Sequence, residues 1–281
     1  MALDLSSVGK TTAPTVTRYG WKDVVLYALG VGAKRAELDL LYEGRGPKVL
    51  PSFAVVPMFA PMLAALETTK GDFASIVHGG QKVRVHAPFP REGELSTTAT
   101  VRAIHDMRKF AFVICDMQTK DGDGKVLSDT TASIIYRGEG GFGGQPPPKE
   151  DKVAEAPKDR APDFRIEEVT SPEQALLYRL CGDVNPLHAD PAFAASVGFS
   201  QGPILHGLCT YGYMVRHAAL GACGGDATRI TEIGATFRKP VWPGDTLVTE
   251  GWRLDDARIA LRVGVKERDE QVLTGAWVRT G

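Results

Sequence analysis

Two short segments of this chain recur at a single offset. Leu26-Tyr27-Ala28-Leu29 is echoed by Leu177-Tyr178-Arg179-Leu180, and Pro88-Phe89-Pro90-Arg91-Glu92-Gly93-Glu94-Leu95 by Pro240-Val241-Trp242-Pro243-Gly244-Asp245-Thr246-Leu247, each roughly 151 residues later. Two matches at one spacing argue for duplication of a unit of about 120–130 residues. Between the copies the composition changes. Gly138-Glu139-Gly140-Gly141-Phe142-Gly143-Gly144 is followed by Pro146-Pro147-Pro148 and a charged run, a stretch that reads as a linker over 138–163. The chain therefore divides into an N-terminal repeat, 1–137, and a C-terminal repeat, 164–281.

Each repeat carries one apolar helix and then a run of strands. The helices are expected at Val56–Leu66 and Leu205–Leu220. Strands rich in Thr, Val and Ile follow at Gln81–Ala87, Glu94–His105, Phe110–Thr119 and Val126–Tyr136, and again at Arg229–Arg238, Thr246–Asp255, Arg258–Glu267 and Gln271–Arg279. Asp121-Gly122-Asp123-Gly124 supplies a hairpin turn. One helix ahead of consecutive antiparallel strands is an α+β pattern, with the sheet wrapped around the apolar helix.

The chemistry concentrates in Tyr178-Arg179-Leu180-Cys181-Gly182-Asp183-Val184-Asn185-Pro186-Leu187-His188. A carboxylate, an amide and an imidazole within six residues, beside Gly and Pro, form a loop that can grip a water molecule. Gly202-Pro203-Ile204-Leu205-His206-Gly207 then opens an apolar helix, whose first N–H groups have no partner within the helix. An acid/base pair beside such donors is the minimum for adding water next to an activated carbonyl. Blander readings exist: Asp183 as an Asx-turn, His188 as a core histidine, Gly207 as a packing glycine, Asn185 as a loop clasp, His206 as structural. A Cys181 nucleophile near His188 is a further alternative, but it leaves Asp183 and Asn185 without a task. At the 151-residue offset Asp183 falls on Gly32 and His188 on Glu37, so the N-terminal repeat lacks the pair. One chemical site per chain is expected, with the other repeat supplying binding surface.

Phe237-Arg238-Lys239 ends a strand with two cations, suited either to phosphates or adenine of a nucleotide-tailed substrate or to guarding a strand edge. His78-Gly79-Gly80-Gln81 is a turn or a ligand contact. No G-x-x-x-x-G-K-[ST] loop occurs, and the run Gly138–Gly144, although it has G-x-G-x-x-G spacing, follows a strand without leading into a helix and reads as a linker, not a dinucleotide site. A formal net charge of −1 gives no general pull toward nucleic acid or an anionic membrane. No apolar run of about 18 residues is present, and the first residues lack a signal-peptide pattern. The four cysteines show neither a C-x-x-C pair nor zinc spacing, so no metal is expected.

Gly182, Asp183, Asn185, Pro186 and His188 together resemble the hydratase 2 motif of the MaoC-like dehydratases, the (R)-specific 2-enoyl-CoA hydratases. The resemblance extends over Pro203–Gly212, Phe237–Gly244, His78–Gln81 and the Gly140–Gly144 segment, a breadth similar to the hydratase 2 part of peroxisomal multifunctional enzymes of type 2. It implies a double hot-dog fold and reversible hydration of a trans-2-enoyl-CoA to a (3R)-3-hydroxyacyl-CoA, with no cofactor. It also implies that Asp183 and His188 hold the catalytic water and that the Gly207 N–H forms the oxyanion hole. Asn185, His78, Gly79 and Phe237 would line the acyl-CoA site, with Arg238 and Lys239 beside it, and a homodimer is expected by analogy. The C-terminus lacks a Ser-Lys-Leu type peroxisomal address, which favours a bacterial cytoplasm. A non-catalytic acyl-CoA-binding subunit and a hot-dog thioesterase are the competing functions.

Overall fold

The computed structural model describes residues 3–144, 146–148 and 153–281. Residues 145 and 149–152 of the expected linker, and the first two residues of the segment read for a signal, lie outside them. Ten strands form a single antiparallel sheet. The N-terminal repeat supplies β1 (Thr15–Tyr19), β2 (Ile76–Val85), β3 (Gly93–Asp106), β4 (Phe110–Asp121) and β5 (Val126–Arg137). The C-terminal repeat supplies β6 (Phe164–Val169), β7 (Ile230–Phe237), β8 (Thr246–Arg253), β9 (Arg258–Val265) and β10 (Glu270–Thr280). The sheet order is β1-β3-β4-β5-β2-β7-β10-β9-β8-β6, so the two sets of five share one internal order and meet at β2 and β7. That seam runs from Gly80 opposite Thr236 to Arg84 opposite Glu232. The expected double hot-dog is thus two wrapped helices sharing one continuous sheet.

Among the described residues six α-helices complete the fold: α1 (Trp21–Gly30), α2 (Leu38–Leu41), α3 (Val55–Glu67), α4 (Gln174–Tyr178), α5 (Pro191–Ser196) and α6 (Gly207–Ala222). α3 buries Val55, Met58, Met62, Ala65 and Leu66, the i, i+3, i+4 stripe of a helix laid on a sheet, and it packs on β3 and β4. α6 is buried on every side from Leu208 to Ala219, and strands β6, β7, β8 and β10 surround it. It begins at Gly207 rather than Leu205, because the Leu205 N–H is spent on the Val241 carbonyl (2.7 Å) and His206 takes the extended backbone of an N-cap.

β1 and β6 have no counterpart in the sequence expectations. Both are short edge strands with Thr, Arg or Glu at alternate positions and half of their residues in solvent. β2 starts at Ile76 rather than Gln81, running through a bulge between His78 and Gly80. The Gly/Pro segment packs more than its composition suggests. The Asp106 carboxylate accepts N–H bonds from Arg108 (2.7 Å) and Gly141 (2.8 Å), Phe142 leans on the main core, and Ala154 is buried against Ala260 and Trp277.

A buried ionic cluster fixes α6 to the N-terminal repeat. Arg216 is 1% exposed; its guanidinium donates to the Val31 carbonyl (3.1 Å), to Glu37 (2.6 Å) and to Glu168. His217 bonds Glu168 (3.2 Å) and Thr249 (2.8 Å). Burial alone would raise the Glu168 carboxyl; His217, Arg216 and Lys34 outweigh it and hold the pKa at about 2. One turn nearer the start of α6, the Tyr213 hydroxyl donates to Gln174 (2.9 Å), whose amide donates to the carbonyls of Leu29 (3.1 Å) and Gly30 (2.7 Å). Among the described residues no helix is long and apolar enough to cross a membrane.

Candidate active site

A cavity of about 440 Å³ opens where the two repeats meet. The C-terminal repeat contributes Asp183, Asn185, His188, Gly207 and Phe237 to its wall; β2 of the N-terminal repeat contributes His78. The loop after α4 is tight. Asp183 accepts the Asn185 N–H (3.2 Å), and the Asn185 side-chain oxygen accepts the Leu187 N–H (2.9 Å), capping a 3-10 turn over Pro186–His188. This turn carries His188 into the interior, where its Nδ1 lies 2.8 Å from the Ile204 carbonyl. A carbonyl can only accept, so Nδ1 bears the proton and Nε2 is left as a free base.

Electrostatics agree with that state. Burial pushes the His188 pKa down, partly offset by the Ile204 carbonyl and by Asp183. Burial raises the Asp183 pKa, with His188 and the Asn185 N–H pulling the other way. The two groups are brought toward each other on the pH scale, as proton transfer between them or through one water requires. Gly207 is the first residue of α6, and among the described residues its N–H meets no acceptor. Beside it lies Phe237: a Cβ on Gly207 would sit 3.2 Å from the ring, so any larger residue pushes Phe237 aside. His78 meets Phe237 edge-on, with ring centres 5.1 Å apart. Burial lowers its pKa to about 4, and its Nε2 is buried without a partner.

Asp183, His188 and His206 bring ligand-type atoms within 4.8 Å of one another. The two imidazoles are stacked, with centres 3.7 Å apart and planes 27° from parallel. Their lone pairs therefore run along similar planes and do not converge on one ion as tetrahedral ligation needs. The arrangement suits a hydrogen-bonded water better than a metal.

Two family models divide the chain between them. The MFE-2 hydratase 2 N-terminal domain matches residues 18–138, and the MaoC like domain matches 153–276. A 3-hydroxyacyl-thioester dehydratase Y of Mycobacterium tuberculosis is 41% identical over 281 residues, covering 96% of this chain and 94% of its own. The chain belongs to the MaoC-like hydratase 2 family. The mouse peroxisomal multifunctional enzyme type 2 is 36% identical across 98% of this chain, which spans 38% of that longer protein. The solved MaoC-like dehydratase of Phytophthora capsici superposes with a TM-score of 0.88 at 30% identity, covering 99% of this chain and 98% of its own.

Within this hydratase 2 scaffold most residues singled out from the sequence come together. Gly79 does not line the cavity: it lies in the β2 bulge, against Ile135 and the Ser133 carbonyl, where it lets the strand turn His78 inward. Lys239 and Arg238 reach the solvent side of the cavity. The Lys239 ammonium stands 3.3 Å from Glu270, and the Arg238 Nε donates to Thr274 (3.2 Å). Arg137, from the end of β5, joins this rim and was not foreseen. Nor was the apolar wall built by Phe59, Met62, Leu63 and Leu66 of α3 with Ile76 and Val77 of β2. Its signal was present: α3 is apolar on more faces than one sheet contact needs.

Proposed function

We propose that this protein catalyses reversible addition of water to a trans-2-enoyl-CoA, giving a (3R)-3-hydroxyacyl-CoA. The observation that carries the reading is the meeting, in one cavity, of the Asp183 carboxylate, the unprotonated Nε2 of His188 and the uncommitted N–H of Gly207. The thioester carbonyl accepts from the Gly207 N–H, drawing electron density from C3. A water held by Asp183 and His188 attacks C3 and passes one proton to the pair. The enolate formed, its charge held by Gly207, takes one proton from the pair at C2. The balance is H at C2 and OH at C3, and reversal is dehydration. Fixed donors at an oxyanion and a positioned acid/base are the two largest contributions open to such a site.

The apolar wall from α3 and β2 receives the acyl chain, which makes the N-terminal repeat the non-catalytic, tail-binding part of the molecule. Arg137, Arg238 and Lys239 at the rim face the phosphates of CoA. The (3R) configuration follows the family, whose relatives include an enoyl-CoA hydratase 2 of Arabidopsis thaliana, 36% identical across 92% of this chain. Two copies of the chain are expected to associate, which light scattering reads directly.

Loss of the enoyl-thioester ultraviolet absorbance measures hydration, and chiral separation of the product reads its configuration. Asp183→Asn and His188→Ala should each lower kcat by about 10²–10⁴-fold while a saturated acyl-CoA still binds. Near-normal turnover in both variants would sink the reading. Release of free thiol by the wild type, without hydration, would instead assign a thioesterase.

A further inference from the structure

The position immediately before the oxyanion donor carries more than an N-cap. His206 is 1% exposed, and its ring is stacked on His188 (centres 3.7 Å apart) and meets Tyr178 at a tilt of 53° (4.9 Å). Its Nε2 lies 3.0 Å from the Asp183 carbonyl, so this nitrogen carries the proton. Its Nδ1 is buried with no partner. Asp183 is otherwise tied by the Asn185 N–H within its own loop, and His188 by the carbonyl of Ile204, two residues before His206. His206 touches both.

We infer that His206 is a positioning residue: its Nε2–H anchors the Asp183 backbone while its face sets the plane of the His188 ring. The inference rests on the reading of Asp183 and His188 as the water-activating pair. The ring must also be neutral, because His188 becomes positive when it takes the proton from water and a stacked cation would oppose it. Burial, reinforced by the neighbouring His188, holds the His206 pKa down at about 2. Positioning matters here because both partners must reach one small molecule, and a displacement of about 1 Å in such a site costs about 100-fold.

The test compares His206→Phe, His206→Gln and His206→Asn with Asp183→Asn, reading kcat, KM and melting temperature with a short-chain trans-2-enoyl-CoA. Phe keeps the stack and loses the tether; Gln places an amide donor where Nε2 stands; Asn places its amide nearer Nδ1. His206→Phe should lose about 10–100-fold in kcat with KM little changed, and His206→Gln should retain more activity than either Phe or Asn. A filler role predicts the reverse: Phe tolerated, with any loss appearing in melting temperature. The inference is overturned if His206→Phe keeps wild-type kcat, or if Asn matches or exceeds Gln. The Gln–Asn comparison decides alone should the Phe variant fail to fold. Wild-type turnover in Asp183→Asn would instead remove the underlying reading, so the two failures are distinct.

Discussion

The loop over residues 182–188 and the loop over residues 31–37 stand at equivalent places in the two repeats and serve opposite ends. In the first, Asp183 and His188 face the cavity, with one Asp183 oxygen held by the Asn185 N–H and the His188 Nε2 unbonded. In the second, the corresponding positions are Gly32 and Glu37, and they serve packing and a buried ion pair. Gly32 adopts φ +82°, and a Cβ there would lie 2.3 Å from the Tyr213 ring, so only glycine fits. Glu37 gives one oxygen to the Lys34 N–H (2.8 Å) and to Arg216 of α6 (2.6 Å). The duplicated scaffold has thus diverged by reassigning one loop. The copy without the proposed acid/base pair clamps the helix whose first residue is the proposed oxyanion donor.

The sharpest way to break this comparison is to move the chemistry. In an Asp183→Asn background, already expected to be down by about 10²–10⁴-fold, adding Gly32→Asp and Glu37→His should restore no turnover. Tyr213 fills the space that the new carboxylate would need, and the second change removes the Arg216 partner. Recovered hydration would show the two loops to be interchangeable and refute the division of labour.

The clamp itself should be nearly as costly to break. Arg216→Met removes from the interior the cation that Glu37 and Glu168 share, and leaves Glu168 to the more exposed Lys34. Breaking a buried pair this way costs about 3–5 kcal/mol, which urea unfolding measures. Glu37→Gln, which keeps a hydrogen-bond acceptor, should cost less. Equal stability of Arg216→Met and wild type would mean that α6 is held by packing alone.

How much of this was readable beforehand follows from how local each signal is. The motif Gly182–His188 and the helix start at Gly207 are each contiguous, so Asp183, His188 and Gly207, which line one cavity, could be singled out from the chain. α3, α6 and eight strands follow from period and composition. β1 and β6 could not, because an edge strand wets one side and its Thr, Arg and Glu residues erase the apolar alternation. The His206 stack, the β2 bulge and the Glu37–Arg216–Glu168 cluster join residues tens to hundreds of positions apart, and only the folded sheet brings them together. One clue was visible: Arg216 and His217 interrupt a largely apolar run from Leu208 to Leu220, and a charge there needs a buried partner.

The tail-binding role proposed for the N-terminal repeat can be tested apart from the chemistry. Met62 is 3% exposed and forms part of the α3 wall of the cavity. Met62→Trp should shorten the pocket, lowering kcat/KM for long enoyl-CoAs by roughly tenfold while leaving a four-carbon substrate almost untouched; a lost chain contact of 1–3 kcal/mol has that size. A uniform loss across chain lengths would place the tail elsewhere. Because overpacking can itself cost about 1–3 kcal/mol, the melting temperature of the variant is read alongside.

The smallest expected effect distinguishes the two wrapped helices by their response to acid. α6 carries the buried His217, with His206 at its cap, whereas the apolar face of α3 carries no titratable group. Burial lowers the pKa of both imidazoles from 6.5, that of His206 to about 2. The folded-state pKa is therefore below the unfolded one, and as pH falls below 6.5 the unfolded chain takes up protons that the native state refuses. Stability is complete above 6.5 and declines on acidification, by about 1 kcal/mol per pH unit for each such histidine until its folded pKa is reached. Glu168, held at about 2 against an ordinary 4.5, has the same sign, so its contribution fades only below 4.5. Denaturation free energies should thus begin to fall near 6.5, before the carboxylates titrate, and His217→Gln should flatten that slope. An unchanged slope in His217→Gln would show that this ring takes up its proton in the folded state, and the acid sensitivity would then rest on His206, His188 and His78, whose pKa values burial also lowers.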